Sequence, residues 1–282
     1  MAVQFIIDSA SDITPEEAKS MGITTIPLKV VFGDREYADK IDMTHTQFYE
    51  KLIESDVLPS TCQIPPADFE DAYAPILEAG DDIVVITLSS KLSGTYQSAV
   101  IAAEDHPGRI FVVDSQSVCI GERILLEFGL SLIDQDYSAQ EIHRILTHFT
   151  EKIRVLALLD TLEYLKKGGR ISAATALAGS LLSIKPVVTV ENGEVVMAGK
   201  ARGSKQGNNL LRQLIEKSGG VDYSKPFCLA YSGLSDTLLK KYIADSADLW
   251  QGHTDHLPIS TVGCVIGTHV GPNAIAVAFF EP

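Results

Sequence analysis

The sequence predicts an α/β fold: a mostly parallel sheet with flanking helices in the N-terminal half, joined to an α+β C-terminal half. Three observations predict it. Short apolar, β-branched runs alternate with capped helical segments up to about residue 150, the pattern of a parallel sheet covered by helices. Near Arg154 that alternation gives way to a hairpin signal and further strands. The 282 residues, 45% hydrophobic and 21% charged, hold enough apolar material for two ordinary domains, expected at 1–152 and 153–282.

Along the first half, VQFII (3–7) reads as a strand. Thr14, Pro15 and Glu17 then form a capping-box signature, in which hydroxyl and carboxylate each accept from the other's backbone N–H. Thr44 with Gln47 opens a second helix, HTQFYEKLIES, and Ser138 with Glu141 opens a later one. PADFEDAYAPILEAG reads as helix and DIVVITL (82–88) as a buried strand. A helix from about Gly94, the strand RIFVV (109–113) and a helix around ERILLEFGLSLI follow. Three strands end alike, at Asp8-Ser9, Ser89-Ser90 and Asp114-Ser115. Parallel sheets bind ligands where loops leave the carboxyl ends of their strands, so these pairs are either a site rim or ordinary caps.

In the second half RVLALL (154–159) is a strand and DTLEYLKKGG a compact helix. Asp160 and Glu163 suit its start, and Lys166, Lys167 and Gly168 its end. A nearly charge-free helix is expected over SAATALAGSLLSI. PVVTVENGEVVMAGKARG reads as a hairpin turning at Asn192-Gly193, residue types that tolerate the positive φ such a turn needs. A helix, a strand and another helix lead to two last strands, ISTVGCVI and AIAVAFF.

Composition excludes several functions. A formal charge of −14 opposes nucleic-acid binding, which needs clustered Lys and Arg against phosphates. It also opposes standing attachment to an anionic membrane, while leaving transient membrane contact open. MAVQFIIDSASD lacks the basic stretch and apolar region of a signal peptide, so none is expected. The uncharged run Ile171 to Ile184 falls short of a membrane span. Cys62, Cys119, Cys228 and Cys264 are scattered without a C-x-x-C pair, which is neither a disulfide framework nor a zinc signature, and a cytoplasmic location is expected. No histidine pair has metal-site spacing, so no metal is expected.

Four stretches carry candidate chemistry. SSKLSGTYQSA (89–99) has one glycine, and its lysine precedes it, so it is no phosphate loop. Ser93, Gly94 and Thr95 fall at the first turn of a helix, where free N–H groups and the dipole attract an anion; Ser93 also fits a plain N-cap. Thr61 sits in the proline-stiffened loop PSTCQIPPADF. Thr268 and His269 are expected at the apex of a tight connection between two strands, shaped by Gly267, Gly271 and Pro272. Arg170, after two glycines, offers a planar fork of donors to an anionic headgroup. The alternative is a serine-dependent acyl ester or thioester hydrolase using Ser93 and His269, although no G-x-S-x-G elbow is present.

These motifs resemble the DegV family of bacterial fatty-acid-binding proteins. The resemblance lies in DSASD (8–12), PST with Gln63 (59–63), SSKLSGTYQSA, VDSQSV (113–118), LDTLEYLKKGGRI (159–171), KPVV (185–188) and GTHVGPNAIAVAF (267–279), in the same order along essentially the whole chain. It implies a long-chain fatty acid, rather than a cofactor, in a lipid cleft between two domains. It implies a headgroup held by Thr61 and Ser93, with His269 and Arg170 close by. It further implies a fatty acid kinase subunit as partner, to which the carrier presents the carboxylate for acyl phosphate formation and phospholipid synthesis, with no chemistry of its own. Burying a methylene is worth about 0.8 kcal/mol, so a palmitate-length tail offers on the order of 12 kcal/mol before association costs. On that implication the tail supplies affinity and the hydroxyls orientation, with the helix at 173–184 and the strand AIAVAFF as candidate tunnel walls.

Overall fold

Three sheets organise the computed structural model, which describes residues 2–172, 184–253 and 256–282. In chain order the elements are β1 (Val3–Asp8), α1 (Pro15–Met21), β2 (Thr24–Ile26), β3 (Lys29–Phe32), β4 (Arg35–Ala38), α2 (His45–Glu54), β5 (Ser60–Cys62) and α3 (Pro66–Glu78). Then come β6 (Asp82–Thr87), α4 (Thr95–Ala103), β7 (Ile110–Asp114), α5 (Ile120–Ile133), α6 (Ala139–Phe149), β8 (Ile153–Leu158) and α7 (Glu163–Lys167). The remainder is β9 (Ile184–Glu191), β10 (Glu194–Arg202), α8 (Gly203–Lys217), β11 (Cys228–Tyr231), α9 (Thr237–Asp245), α10 (Ala247–Trp250), β12 (Ile259–Thr261), α11 (Cys264–Val270) and β13 (Ile275–Phe280). The helix expected at 173–184 lies outside the described residues, apart from Ile184, which opens β9.

The first sheet is wholly parallel, ordered β2-β1-β6-β7, with Phe5, Ile6, Ile7 and Ile83 to Ile86 buried between helices on both faces. The expected mostly parallel sheet is therefore present. The second is a mixed sheet, β10-β9-β8-β13-β11-β12, in which only β11 and β12 run parallel. Helix α5 packs between the two and against strands of both, so one apolar core runs from Phe5 through Ile124 to Ala278 and Phe280. A separate cluster around Leu211, Tyr242 and Trp250 covers the far face of the mixed sheet.

Local chemistry explains the elements that sequence located well. All three capping boxes form, at Thr14, Thr44 and Ser138. The β9–β10 hairpin turns at Asn192 (φ 51°) and Gly193 (φ 82°), with Glu191 opposite Glu194, as a two-residue turn of this hand requires.

Four expectations need correcting. The third sheet, antiparallel β4-β3-β5, was not anticipated, and it makes the PST segment a strand rather than a loop. Its strands span three or four residues, too few for alternation to register. Asp160 does not cap α7; it pairs with Lys185, while Thr161 Oγ1 accepts from Glu163 N–H at 3.2 Å. The strand expected over ISTVGCVI ends at Thr261. Beyond it, Cys264–Val270 is α11, so Thr268 and His269 ride on a helix and not on a turn apex.

Distant carboxylates account for that helix. Gly263 N–H donates to Asp12 Oδ1 at 2.8 Å and Cys264 N–H to Asp39 Oδ1 at 3.1 Å, which satisfies two otherwise orphaned donors at its start. Asp12, in the left-handed region (φ 59°), also accepts from Cys119 Sγ at 2.9 Å and lies 3.6 Å from Lys40 Nζ. Burial pushes its carboxyl up, and Lys40, the Cys119 thiol and the Gly263 N–H pull it back. Asp12→Ala should therefore cost about 3–5 kcal/mol in denaturant unfolding, because it strips the part-buried Lys40 of its carboxylate counter-charge, leaving only the Ser9 and Ile13 carbonyls, and orphans the Gly263 N–H. A loss below about 1 kcal/mol would show that Asp12 does not anchor the helix.

Candidate functional site

Strand β5 and helix α11 bring two side chains together from opposite ends of the chain. Thr61, opposite Val30 in the small sheet, has its Oγ1 3.0 Å from His269 Nε2. Gly168 lets the ring sit there: a Cβ at that position would lie 2.3 Å from His269 Nδ1. Burial, with the Arg170 charge as a second cause, lowers the His269 pKa from 6.5 to about 4, so the ring is neutral near pH 7. Its buried Nδ1 has no hydrogen-bond partner among the described residues. An unmet buried donor costs more than an acceptor left idle, which favours the proton on Nε2. In that tautomer His269 donates to Thr61 Oγ1, and the Thr61 hydroxyl hydrogen is left to point elsewhere.

Ser93 lies at the mouth of α4, where its Oγ accepts from Thr95 N–H at 3.2 Å and sits 2.9 Å from Thr95 Oγ1. It thus serves the first turn of the helix as a cap does. Gln63 closes over this turn, its Nε2 donating to Ser98 Oγ at 3.3 Å; a Cβ on Gly94 would fall 2.1 Å from its Oε1. Arg170 is held by carbonyls, Nε donating to Leu92 O at 3.1 Å and Nη1 to Gly168 O at 2.7 Å. Among the described residues no carboxylate pairs with it.

Thr61, Ser93, Arg170 and His269 all line one cavity of about 170 Å³. Its deeper wall, Val118, Leu165, Val195, Ile266 and Val270, is shared with a second cavity of about 60 Å³. Apart from Cys119 and Thr189, only apolar residues line that second space, among them Val155, Val188 and Ala274 to Ala276. A polar chamber therefore adjoins an apolar one across this shared wall of five side chains, between the loops of the parallel sheet and the inner face of the mixed sheet. Of the candidate wall AIAVAFF, the first residues line the apolar chamber, while Phe279 and Phe280 belong to the core.

The polar strand ends do not form a rim around either chamber. Asp8 Oδ2 accepts from Leu88 N–H at 2.8 Å, Ser9 Oγ from Leu28 N–H at 3.0 Å and Asp114 Oδ1 from Ser90 N–H at 3.1 Å. They tie neighbouring loops together, as caps do. Ser89 Oγ donates to Gly193 O at 2.7 Å and so fastens the hairpin tip to the parallel sheet. The hydrolase arrangement does not form either. The Ser93 hydroxyl is engaged by Thr95, His269 by Thr61, and a ring titrating near 4 is a weak base at neutral pH. Sequence reading took Gly168 as a helix stop only and missed Val195, the hairpin residue common to both chambers. Two consecutive glycines beside an arginine were the available signal for a close approach.

His269 should titrate near pH 4 in an NMR experiment on its ring, and Arg170→Gln should raise that value by removing the adjacent cation. Between 6.5 and 4 the unfolded chain binds a proton at this ring that the folded chain does not. The ring's contribution to stability is thus whole above about pH 6.5 and is lost as pH falls toward 4. An ordinary titration near 6.5 would show that the ring is not buried as described.

Residues 2–282 match the family model described as "Uncharacterised protein, DegV family". A DegV domain-containing protein of Deinococcus radiodurans is 33% identical, over 100% of this chain and 99% of that one. Among solved structures, a fatty-acid-binding DegV family protein from Thermus thermophilus matches with a TM-score of 0.89 at 30% identity, covering 100% of both chains. DegV from Bacillus subtilis, described as a fatty acid binding protein, matches at 0.84 and 28% identity, again over 100% of both. The chain belongs to the DegV family.

Proposed function

We propose that this protein binds a long-chain fatty acid, its carboxylate in the chamber of Thr61, Ser93, Arg170 and His269 and its tail in the apolar chamber beyond. On this reading the ligand lies between an N-terminal domain, 1–152, and a C-terminal domain, 153–282. The observation that carries the proposal is the adjacency of the two spaces, one lined by hydroxyls and an arginine without a carboxylate partner among the described residues, the other almost wholly apolar. Two relatives of the same fold, near 30% identity, are described as binding fatty acids, which supports it.

Each residue then has a physical task. His269, neutral, donates to Thr61 and so turns the Thr61 hydroxyl hydrogen toward the ligand. Ser93 adds a second hydroxyl beside the N-terminal turn of α4, whose N–H groups and dipole favour an anion. Arg170, fixed by two carbonyls, supplies the compensating charge without needing to reorganise. The tail contributes most of the binding free energy through methylene burial.

The finer reading is that the protein is a cytoplasmic carrier that performs no chemistry itself. It offers the bound carboxylate to a fatty acid kinase subunit, which forms the acyl phosphate used in phospholipid synthesis. Seating the head in the larger chamber, among hydroxyls and one arginine rather than in the apolar space, leaves the carboxylate at the polar end of the site, as hand-over to a second protein requires.

Protein purified under native conditions should carry extractable fatty acid, and delipidated protein should take up palmitate one to one in calorimetry. Thr61→Val removes a hydrogen bond to a charged group, worth about 1.5–3 kcal/mol, and should weaken palmitate binding roughly 10- to 100-fold. Leaving the buried His269 Nε2–H without its acceptor should also cost about 1–3 kcal/mol of stability, so affinity is compared where the variant is folded. Failure to take up palmitate would refute the proposal, and unchanged affinity in Thr61→Val would refute the headgroup assignment.

A further inference from the structure

Strands β8 and β9 pair from Leu158 opposite Val187 to Leu156 opposite Thr189, and there their pairing stops. Both continue, β8 back to Ile153 and β9 on to Glu191. Each keeps its other neighbour over that stretch, β8 with β13 to Ile153–Phe280 and β9 with β10 to Glu191–Glu194. The mixed sheet is therefore split between two intact pairs. A groove of about 520 Å³ occupies the split, with Ile153 and Arg154 on one side, Glu191 and Asn192 on the other, and Gln116 and Thr150 beside them.

Directly behind the split lies the far end of the apolar chamber. Val155 and Val190, which extended register would place opposite each other, both line that chamber. Thr189 and Val190 border the chamber and the groove alike, so one layer of side chains separates them. The chamber itself, at about 60 Å³, holds roughly five water-sized spheres. A long tail that reaches it meets the split next.

We infer that the split is a second opening of the lipid site, through which the distal end of a long acyl chain passes between Val155 and Val190 into the groove. The inference rests on the fatty-acid reading and extends its ligand class to long-chain acids with a polar distal end, such as α,ω-dicarboxylic acids. The groove is polar, bordered by Gln116, Thr150 and Asn192 as well as Glu151, Glu191 and an Arg154 already paired with Glu281, so a distal carboxylate that reaches it regains water rather than a counter-ion. A carboxylate stranded in the apolar chamber would have no such hydration and would be strongly disfavoured.

The test compares the Kd of each dicarboxylic acid with that of the monocarboxylic acid of equal length, on delipidated full-length protein. Dodecanedioic acid should bind on the order of 100-fold more weakly than laurate, and docosanedioic acid within about fivefold of docosanoate, because only the longer chain delivers its second carboxylate to water. Val190→Trp narrows the far end of the chamber, so it should restore the penalty for docosanedioic acid; its palmitate affinity serves only as the check that the variant still binds lipid. A penalty that stays high at every length would mean a closed end and would overturn the inference. So would a fall with length that Val190→Trp, still binding palmitate, fails to reverse. If Val190→Trp loses palmitate as well, the parent series decides by itself. Absence of palmitate binding to the parent protein would instead refute the fatty-acid reading itself.

Discussion

The short helix Cys264–Val270 is the constraint on which the site depends. Its first N–H groups are held by Asp12 and Asp39, residues of the N-terminal half, and its last turn carries His269 to Thr61. Tyr49 Oη donates to Val262 O at 3.1 Å just before the helix, and a Cβ on Gly267 would lie 2.6 Å from that same hydroxyl oxygen. Both ends and one face of the helix are thus fixed by the half of the molecule that supplies Thr61 and Ser93. Because one apolar core spans both sheets, the two halves could not move apart and release the Thr61–His269 contact without opening that core as well. A chamber assembled across such a boundary can be precise while its walls belong to different sheets.

Precision matters here because the polar chamber manages charge with few charged groups. A buried carboxylate needs donors and a compensating cation, and a second buried ion would add its own desolvation cost. Lowering the His269 pKa to about 4 keeps the ring neutral and makes it an orienting group rather than a counter-ion. Among the described residues that line this chamber Arg170 is the only cation, and it is held by carbonyls that do not neutralise it. The division of labour is physical: methylene burial is large and undirected, whereas hydroxyl contacts are small and directional.

Much of this was legible in the sequence wherever local chemistry decides structure. Thr14, Thr44 and Ser138 announced helix starts because their partners lie three residues away, and Asn192-Gly193 announced its turn because backbone conformation chose the residue types. The four candidate residues were picked out by motif and line one cavity, yet the Thr61–His269 bond spans 208 positions and nothing local encodes it. For the same reason the sequence suggests the end of a strand at Cys264 to Ile266 and a turn at Gly267 to Val270 where helix Cys264–Val270 forms. Its segment is rich in β-branched residues, and its caps come from carboxylates 251 and 225 residues away. The polar strand ends misled in the opposite direction, since residues suited to hold a ligand are equally suited to tie loops together.

The central claim is that an acyl chain lies with its carboxylate at Thr61 and Ser93 and its tail behind Val195 and Ile266. A structure of the palmitate complex tests it most directly. Carboxylate oxygens should lie within hydrogen-bond reach of both hydroxyls, and methylenes should fill the apolar chamber as far as Val155 and Val190. A palmitate bound the other way round, or lying outside the space between the two sheets, would contradict it.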